Sequence, residues 1–170
     1  MVAGTARGRR LVAPPGTDTR PTSDRVREAI FNALGSLDVV VGSAVLDLFA
    51  GSGALGIEAL SRGASEATFV DLNAKAVEAI EANLATTGLV GKVIRADAHR
   101  YDDGPFDLAL LDPPYATTAE QWHHLLGHLD AAFVVVESDR EIALTGRWEL
   151  IRSKRYGTTV VQIARRTEHS

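Results

Sequence analysis

Asp112-Pro113-Pro114-Tyr115 is the segment of this 170-residue chain whose residue types specify a reaction most narrowly. Two consecutive prolines donate no ladder hydrogen bonds and hold the backbone extended. They set a carboxylate and a bare carbonyl side by side. An exocyclic amine on a purine is a poor nucleophile, because its lone pair is delocalised into the ring. If its two N–H groups donate to the Asp112 carboxylate and the Pro113 carbonyl, the lone pair turns toward an incoming methyl group. Positioning and stabilisation of developing charge then carry the catalysis. Tyr115 adds an aromatic face on which a base can stack, worth ~1–3 kcal/mol. Such chemistry needs neither a thiol nor a metal. The chain has no cysteine, which excludes disulfides, thiolate zinc sites and thiol nucleophiles.

A second group of residues reads as a ligand cradle. Gly51-Ser52-Gly53-Ala54-Leu55-Gly56 matches G-x-G-x-x-G, and Asp71 follows Gly51 by twenty residues. Pattern alone makes this a dinucleotide loop, its glycines admitting the ligand and the acid gripping ribose hydroxyls. NAD and S-adenosylmethionine both place adenosine on such a platform. Asp47, four residues before Gly51, discriminates between them. A carboxylate there repels a pyrophosphate and suits a ligand carrying an ammonium and a sulfonium. Asp97 can accept a hydrogen bond from an adenine amino group, although capping its own turn is the plainer role for it. The balance favours S-adenosylmethionine.

These residues need a frame that brings them to one edge. A helix is expected from about Thr22, because Val26, Ala29, Ile30, Ala33, Leu34 and Leu37 form a one-sided stripe. Short apolar runs then alternate with helical stretches. The predicted strands are Ala44 to Phe49, Ala67 to Asp71, Lys92 to Ala96, Phe106 to Leu111 and Ala132 to Glu137. Between them lie helices over Ala54 to Arg62, Ala74 to Thr86 and Thr118 to Leu129. Trp148 to Ala164 reads as two further β segments about a turn at Gly157. This is an α/β, doubly wound, mostly parallel seven-stranded sheet whose last pair makes an antiparallel edge. Ligands of such sheets bind beyond the carboxyl ends of the strands, and Asp47, Asp71, Asp97 and Asp112 all lie at or near such ends. The first twenty residues read as a small hairpin or extended arm, with residues 21–170 as the main domain. His124 and His128 share a helix face, but with no third ligand in view no metal site is expected.

A net charge of −4 taken alone argues against a polyanionic partner, yet it averages unlike regions. Residues 1–27 carry +4, residues 28–146 carry −12 and residues 147–170 carry +4. Two basic ends on an acidic body could form a backbone-binding surface for nucleic acid if the fold brings them together. The longest apolar run, Ala131 to Val136, is far short of the ~20 residues of a membrane span. No signal peptide is read, and the missing cysteines fit a reducing compartment, so a cytoplasmic monomer is expected.

Asp47-Leu48-Phe49-Ala50-Gly51-Ser52-Gly53 together with Asp112-Pro113-Pro114-Tyr115 resembles the class I S-adenosylmethionine-dependent amino-methyltransferases. Gly4 to Leu11, Arg20-Pro21-Thr22-Ser23-Asp24-Arg25-Val26-Arg27-Glu28-Ala29-Ile30-Phe31-Asn32 and Glu58 to Ala64 narrow the resemblance to the RsmD family. That family methylates N2 of a specific guanine in bacterial 16S ribosomal RNA. The resemblance implies a Rossmann-like fold and roles residue by residue. Asp47, Phe49, Ala50, Gly51, Ser52 and Gly53 would hold the methionine part of the cofactor. Asp71 and Leu72 would take the ribose, and Asp97 with Ala98 the adenine. Asp112, Pro113, Pro114 and Tyr115 would take the guanine. Phe31 and Asn32 would touch the cofactor as the first helix closes over it. Arg7, Arg9, Arg10, Arg20 and Arg25 would face the RNA of the small ribosomal subunit or its assembly intermediate. The opening Met1-Val2-Ala3-Gly4 is shorter than the family's opening strand, so an incomplete first hairpin is expected. The same Asp-Pro-Pro-Tyr chemistry also serves N6-adenine methylation, and a nucleic-acid-binding module that keeps the cofactor only as a ligand is the alternative from another class.

Overall fold

Val26, Ile30, Phe31 and Leu34 lie buried along one side of helix α1 (Asp24–Ser36), and the Ser23 side chain accepts from the Val26 N–H to cap it. The computed structural model describes residues 1–15, 23–144 and 146–168. From α1 the chain enters strand β1 (Ala44–Leu48), helix α2 (Ala54–Ser61), β2 (Glu66–Asp71), α3 (Ala74–Thr87) and β3 (Lys92–Arg95). A short 3-10 turn (Ala98–Arg100) leads to β4 (Phe106–Leu111), α4 (Ala119–His128) and β5 (Ala131–Ser138). The hairpin β6 (Trp148–Tyr156) and β7 (Thr159–Arg166) ends the fold. Asn73 caps α3, and Thr118 with Gln121 makes a capping box on α4. Such contacts satisfy N–H groups a helix leaves open.

The strands form one sheet in the order β3-β2-β1-β4-β5-β7-β6. The first five are mutually parallel, and β7 runs antiparallel to both β5 and β6. Alternating residues face opposite sides of a strand, so each buried strand feeds two cores. Val45, Phe69, Leu108, Leu110, Val135 and Ile163 pack with α1, α2 and α3 on one side. Leu46, Leu48, Val70, Ala109, Leu111 and Val136 pack with α4 and the 3-10 turn on the other. Trp148 belongs to this second core, its indole N–H donating to the Leu126 carbonyl at 2.8 Å.

The amino-terminal segment differs from the expected hairpin. Among the described residues no strand precedes β1. Residues 1–9 instead fold into a turn-rich loop in which the Gly8 N–H donates to the Met1 carbonyl and the Arg7 N–H to that of Gly4. Its backbone finds partners on α2 rather than on a neighbouring strand. The Val2 N–H donates to Glu58 Oε1 at 3.0 Å, the Ala6 N–H to Ser61 Oγ at 2.8 Å and the Thr5 N–H to the Ser61 carbonyl at 2.9 Å. Side-chain acceptors on a helix thereby replace a ladder partner. β3 also ends one residue before the expected Ala96.

Gly56 shows how tightly α2 sits on the sheet. A Cβ there would lie 2.4 Å from the Phe69 ring and 3.0 Å from Asp47 Oδ2. Gly56→Ala is therefore expected to cost about 1–3 kcal/mol through overpacking, read as a lower thermal midpoint. A midpoint equal to that of the parent protein would mean that the Phe69 ring retreats freely.

Candidate active site

The strand register gathers three carboxylates at one edge. Leu48 pairs with Val70 on one side and Leu111 on the other. The next residues, Asp71 and Asp112, therefore flank the chain as it leaves β1, separated by about two strand spacings, ~10 Å. Asp47 lies just below, 2 % exposed, with Oδ2 accepting the Gly56 N–H at 2.9 Å. Burial pushes its carboxyl well above the usual carboxylate range, the Gly56 hydrogen bond partly opposes this, and Asp112 and Asp71 add to the rise. Asp47 thus ties down the start of α2 from beneath the loop rather than lining its surface.

The loop from β1 to α2 is bent by unusual backbone. Phe49 (φ 57°), Gly51 (φ 58°) and Gly53 (φ 79°) all occupy the left-handed region. At Gly53 a Cβ would also press on Phe69, Ile80 and Ile57. For an aromatic residue such as Phe49 this conformation costs about 1–3 kcal/mol, a strain that collects at ligand sites. The Phe49 ring stands edge-on to His99 with centroids 4.8 Å apart. The Gly53 N–H donates to the Ala50 carbonyl at 2.7 Å, and the Gly51 N–H to Asp71 Oδ2 at 3.0 Å. Asp71 Oδ1 accepts the Asn73 N–H at 2.9 Å. Each carboxylate oxygen accepts more than one hydrogen bond, so Asp71 retains capacity for a hydroxyl. Leu72 beside it is 60 % exposed.

Asn83 was not singled out in the sequence, yet it braces this loop. It is buried on α3, and its amide donates to the Ser52 carbonyl and the Val12 carbonyl, each at 2.8 Å. Its Oδ1 accepts the Val12 N–H at 2.8 Å. Asp97 caps the 3-10 turn through a 3.0 Å bond from the His99 N–H, and Ala98 is buried behind it. Asp97 therefore has a local role alongside any ligand contact.

The Asp112-Pro113-Pro114-Tyr115 segment leaves β4 with Pro113 buried, Asp112 and Tyr115 half-buried and Pro114 exposed. The Pro114 carbonyl accepts the Thr117 N–H at 3.0 Å and the Thr117 hydroxyl at 2.6 Å, closing a turn. Arg140, just beyond β5, grips this turn. Its Nη1 donates to the Tyr115 carbonyl at 3.2 Å and its Nη2 to the Thr117 carbonyl at 2.6 Å.

Phe31 departs from expectation. Its side chain is 1 % exposed in the core, and the Arg62 guanidinium lies 5.3 Å from its ring centroid. Phe31 packs in the core cluster that also holds Ala50 of the β1–α2 loop and Leu55 of the first turn of α2. A stripe of apolar residues on a helix does not tell core from ligand face. Asn32 is exposed on α1. Arg7, Arg9, Arg10 and Arg25 are exposed, and Arg20 lies outside the described residues. His124 and His128 pack ring against ring, and no metal-binding cluster occurs among the described residues. Nor is any described helix long and apolar enough to cross a membrane.

Comparison with known proteins gives this geometry a lineage. A family model described as conserved hypothetical protein 95 matches residues 1–165. Escherichia coli (strain K12) ribosomal RNA small subunit methyltransferase D is 36% identical over 178 residues, covering 98% of this chain and 89% of that protein. The chain belongs to the RsmD family. Another relative, YlbH of Bacillus subtilis (strain 168), is 40% identical with 96% of each chain covered. The solved yhhF structure from Escherichia coli superposes with a TM-score of 0.85 at 35% identity, covering 99% of this chain and 98% of that one. The sheet is thus the Rossmann-like sheet of methyltransferases, and this RsmD-family chain is a methyltransferase.

Within the RsmD-family site, Arg140 is expected to act as a positioning residue. Arg140→Ala should lower turnover about tenfold with cofactor affinity unchanged, since small misplacements of a reacting group are costly. Arg140→Lys, which keeps one of the two bonds, should recover part of the loss. Steady-state kinetics with separate cofactor titration checks this, and equal turnover in all three proteins would refute it.

Proposed function

We propose that the chain transfers a methyl group from S-adenosylmethionine to the exocyclic N2 amine of a specific guanine in 16S rRNA of the small ribosomal subunit. The observation that carries this reading is the Asp112-Pro113 carboxylate–carbonyl pair at the same sheet edge as the Asp71-anchored loop. Membership of the RsmD family supports the rRNA substrate, the named Escherichia coli relative being an rRNA small-subunit enzyme.

The residues present fit a cationic cofactor. Asp47 is buried beside Asp71 and Asp112, and no Lys or Arg among the described residues forms an ion pair with Asp47 or Asp71. Such a field welcomes an ammonium and a sulfonium and repels a pyrophosphate. Gly51, Ser52 and Gly53, with Phe49 and Ala50, would hold the methionine part, Asp71 and Leu72 the ribose, and Asp97 and Ala98 the adenine. When bound, the cofactor supplies an electrophilic methyl group on sulfur.

The protein's part is to present the amine. The base leaves its stack at a cost of ~a few kcal/mol and stacks on Tyr115. Its N–H groups donate to the Asp112 carboxylate and the Pro113 carbonyl, which turns the nitrogen lone pair away from the ring. Asp112 then stabilises the positive charge that grows on nitrogen as the N–C bond forms. The displaced proton leaves to solvent once the new bond is complete.

Incubating the protein with methyl-tritiated S-adenosylmethionine and unmethylated 16S rRNA or small subunits tests the reading. N2-methylguanosine is expected after digestion to nucleosides. N6-methyladenosine would replace this reading with the adenine one, and absence of transfer to either substrate would favour a binding module.

A further inference from the structure

Part of the carboxyl-terminal basic segment lies at the sheet edge that carries Asp112. Strand β6 is antiparallel to β7, and β7 is antiparallel to β5, so β6 runs parallel to β5. Its carboxyl end, Lys154-Arg155-Tyr156, therefore lies at the same sheet edge as the carboxyl end of β4. From β4 to β6 the order is β4-β5-β7-β6. Three strand spacings amount to ~14 Å. Helix α1 lies against the same hairpin, where Ala29, Ile30 and Ala33 line a shallow groove with Arg152, Lys154 and Tyr156. The chain after α1 turns straight into the start of β1, the Val39 N–H donating to the Leu34 carbonyl and the Ser43 N–H to the Val40 carbonyl. So α1 ends at the sheet edge opposite Asp112, and Arg25, in its first turn, stands at the site end.

The cations of the β6–β7 hairpin are of two kinds. On the neighbouring strand β7, Arg165 pairs with Glu149 at 3.0 Å and Arg166 with Asp130 at 2.7 Å. Arg152, Lys154 and Arg155 are exposed, and among the described residues no carboxylate forms an ion pair with them. Lys154 Nζ lies 5.3 Å from the Tyr156 ring centroid. Lysines often guard an edge strand against pairing with another chain. A guard should protect the whole edge, yet the half of β6 remote from the site leaves Leu150 at 49% and Ile151 at 37% exposure. The charge is concentrated where the site is.

We infer that Arg152 and Lys154 on the α1 side of β6, Arg155 on its other side, and Arg25 form a phosphate-binding ledge along the free edge of the sheet that holds the RNA strand flanking the target base. The inference rests on the RNA-substrate reading given above and extends it to a surface remote from the cofactor. Phosphate contacts of this kind fix register and orientation without reading sequence. The ledge lies to the β5-β7-β6 side of Asp112, so it fixes the direction from which the strand reaches the site.

The test compares the parent protein with a triple variant, Arg152→Gln, Lys154→Gln, Arg155→Gln, in binding to naked 16S rRNA across a salt series. Each lost phosphate contact lowers the slope of log affinity against log salt by ~0.7–0.9. The triple variant should show a slope shallower by about 2 and at least tenfold weaker binding at low salt. Cofactor affinity and turnover at saturating RNA should be unchanged. Lys75→Gln with Lys92→Gln, near the β3 edge, controls for loss of charge alone. The ledge is refuted if the triple variant binds as the parent does, if the control loses as much affinity, or if only binding to assembled subunits falls. The last outcome would mark the surface as a protein contact. Failure of the parent to methylate any RNA would overturn the substrate reading, while the salt slopes still report on the ledge. Arg155→Gln alone, with a slope change of about one contact, serves if the triple variant folds poorly.

Discussion

Asp112→Ala is expected to lower methyl transfer by roughly 10²–10³-fold while cofactor affinity stays within a few-fold. The range is that of removing one preorganised group aimed at charge developing in a transition state. In the proposed mechanism Asp112 has two tasks, orienting the amine and stabilising the nascent cation, and alanine does neither. Asp112→Asn keeps a carbonyl oxygen of similar reach and loses the charge, so its activity should fall between the two. Cofactor binding is spared because Asp71 and the loop bonds at Gly51 and Ser52 remain. Single-turnover rates with saturating rRNA, alongside calorimetric titration of S-adenosylmethionine, separate the two effects. Unaltered turnover in Asp112→Ala would remove this residue from the mechanism.

Glu58→Ala is expected to destabilise the protein by about 3–5 kcal/mol, the cost of breaking a buried ion pair from one side. The Glu58 side chain is fully buried, with Arg27 Nε and Arg62 Nη2 each 3.8 Å from Oε1. The same oxygen accepts the Val2 N–H at 3.0 Å. Alanine would strand two guanidinium groups, although Arg27 keeps its pairing with Asp24. It would also release the first anchor of the amino-terminal loop. Glu58→Gln retains an acceptor for Val2 and should lose less. Urea denaturation of the three proteins checks the order. A denaturation midpoint in Glu58→Ala equal to the parent's would show that the cluster contributes nothing net, as some buried charge clusters do.

What could be read from the chain without coordinates divides by range. Strand alternation and helical stripes are local signals, so Asp47, Asp71 and Asp112 could be assigned to strand ends, and the parallel sheet then brought them to one edge. Gly51, Gly53 and Gly56 were legible because positive φ and close packing select the residue type itself. Arg140 and Asn83 carried no such mark. Arg140 reaches the carbonyls of Tyr115 and Thr117 across a gap that only the packing of β4 and β5 closes, and it stands beside Asp139 in an ordinary charged loop. Asn83 reads as one more polar position on a helix, until α3, the amino-terminal segment and the Ser52 loop converge on it. Phe31 shows the converse: its place in a motif suggested the ligand, and the structure adds that it packs in the core beneath Arg62. The first twenty residues, expected as a hairpin or an extended arm, are described over 1–15, and there Ser61 and Glu58 of α2, distant in sequence, hold the backbone.

Asn83 also decides how the molecule comes apart locally. Proteins open in cooperative patches, and a patch is defined by the partners its members share. One buried amide here serves Val12 on the surface segment and Ser52 in the cofactor loop. Peeling Val12 away takes two of the three hydrogen bonds of a buried amide and leaves it the one to Ser52. Two stretches far apart in the chain therefore make a single unit of opening, and the loop is as well ordered as the segment that leans on the other side of Asn83.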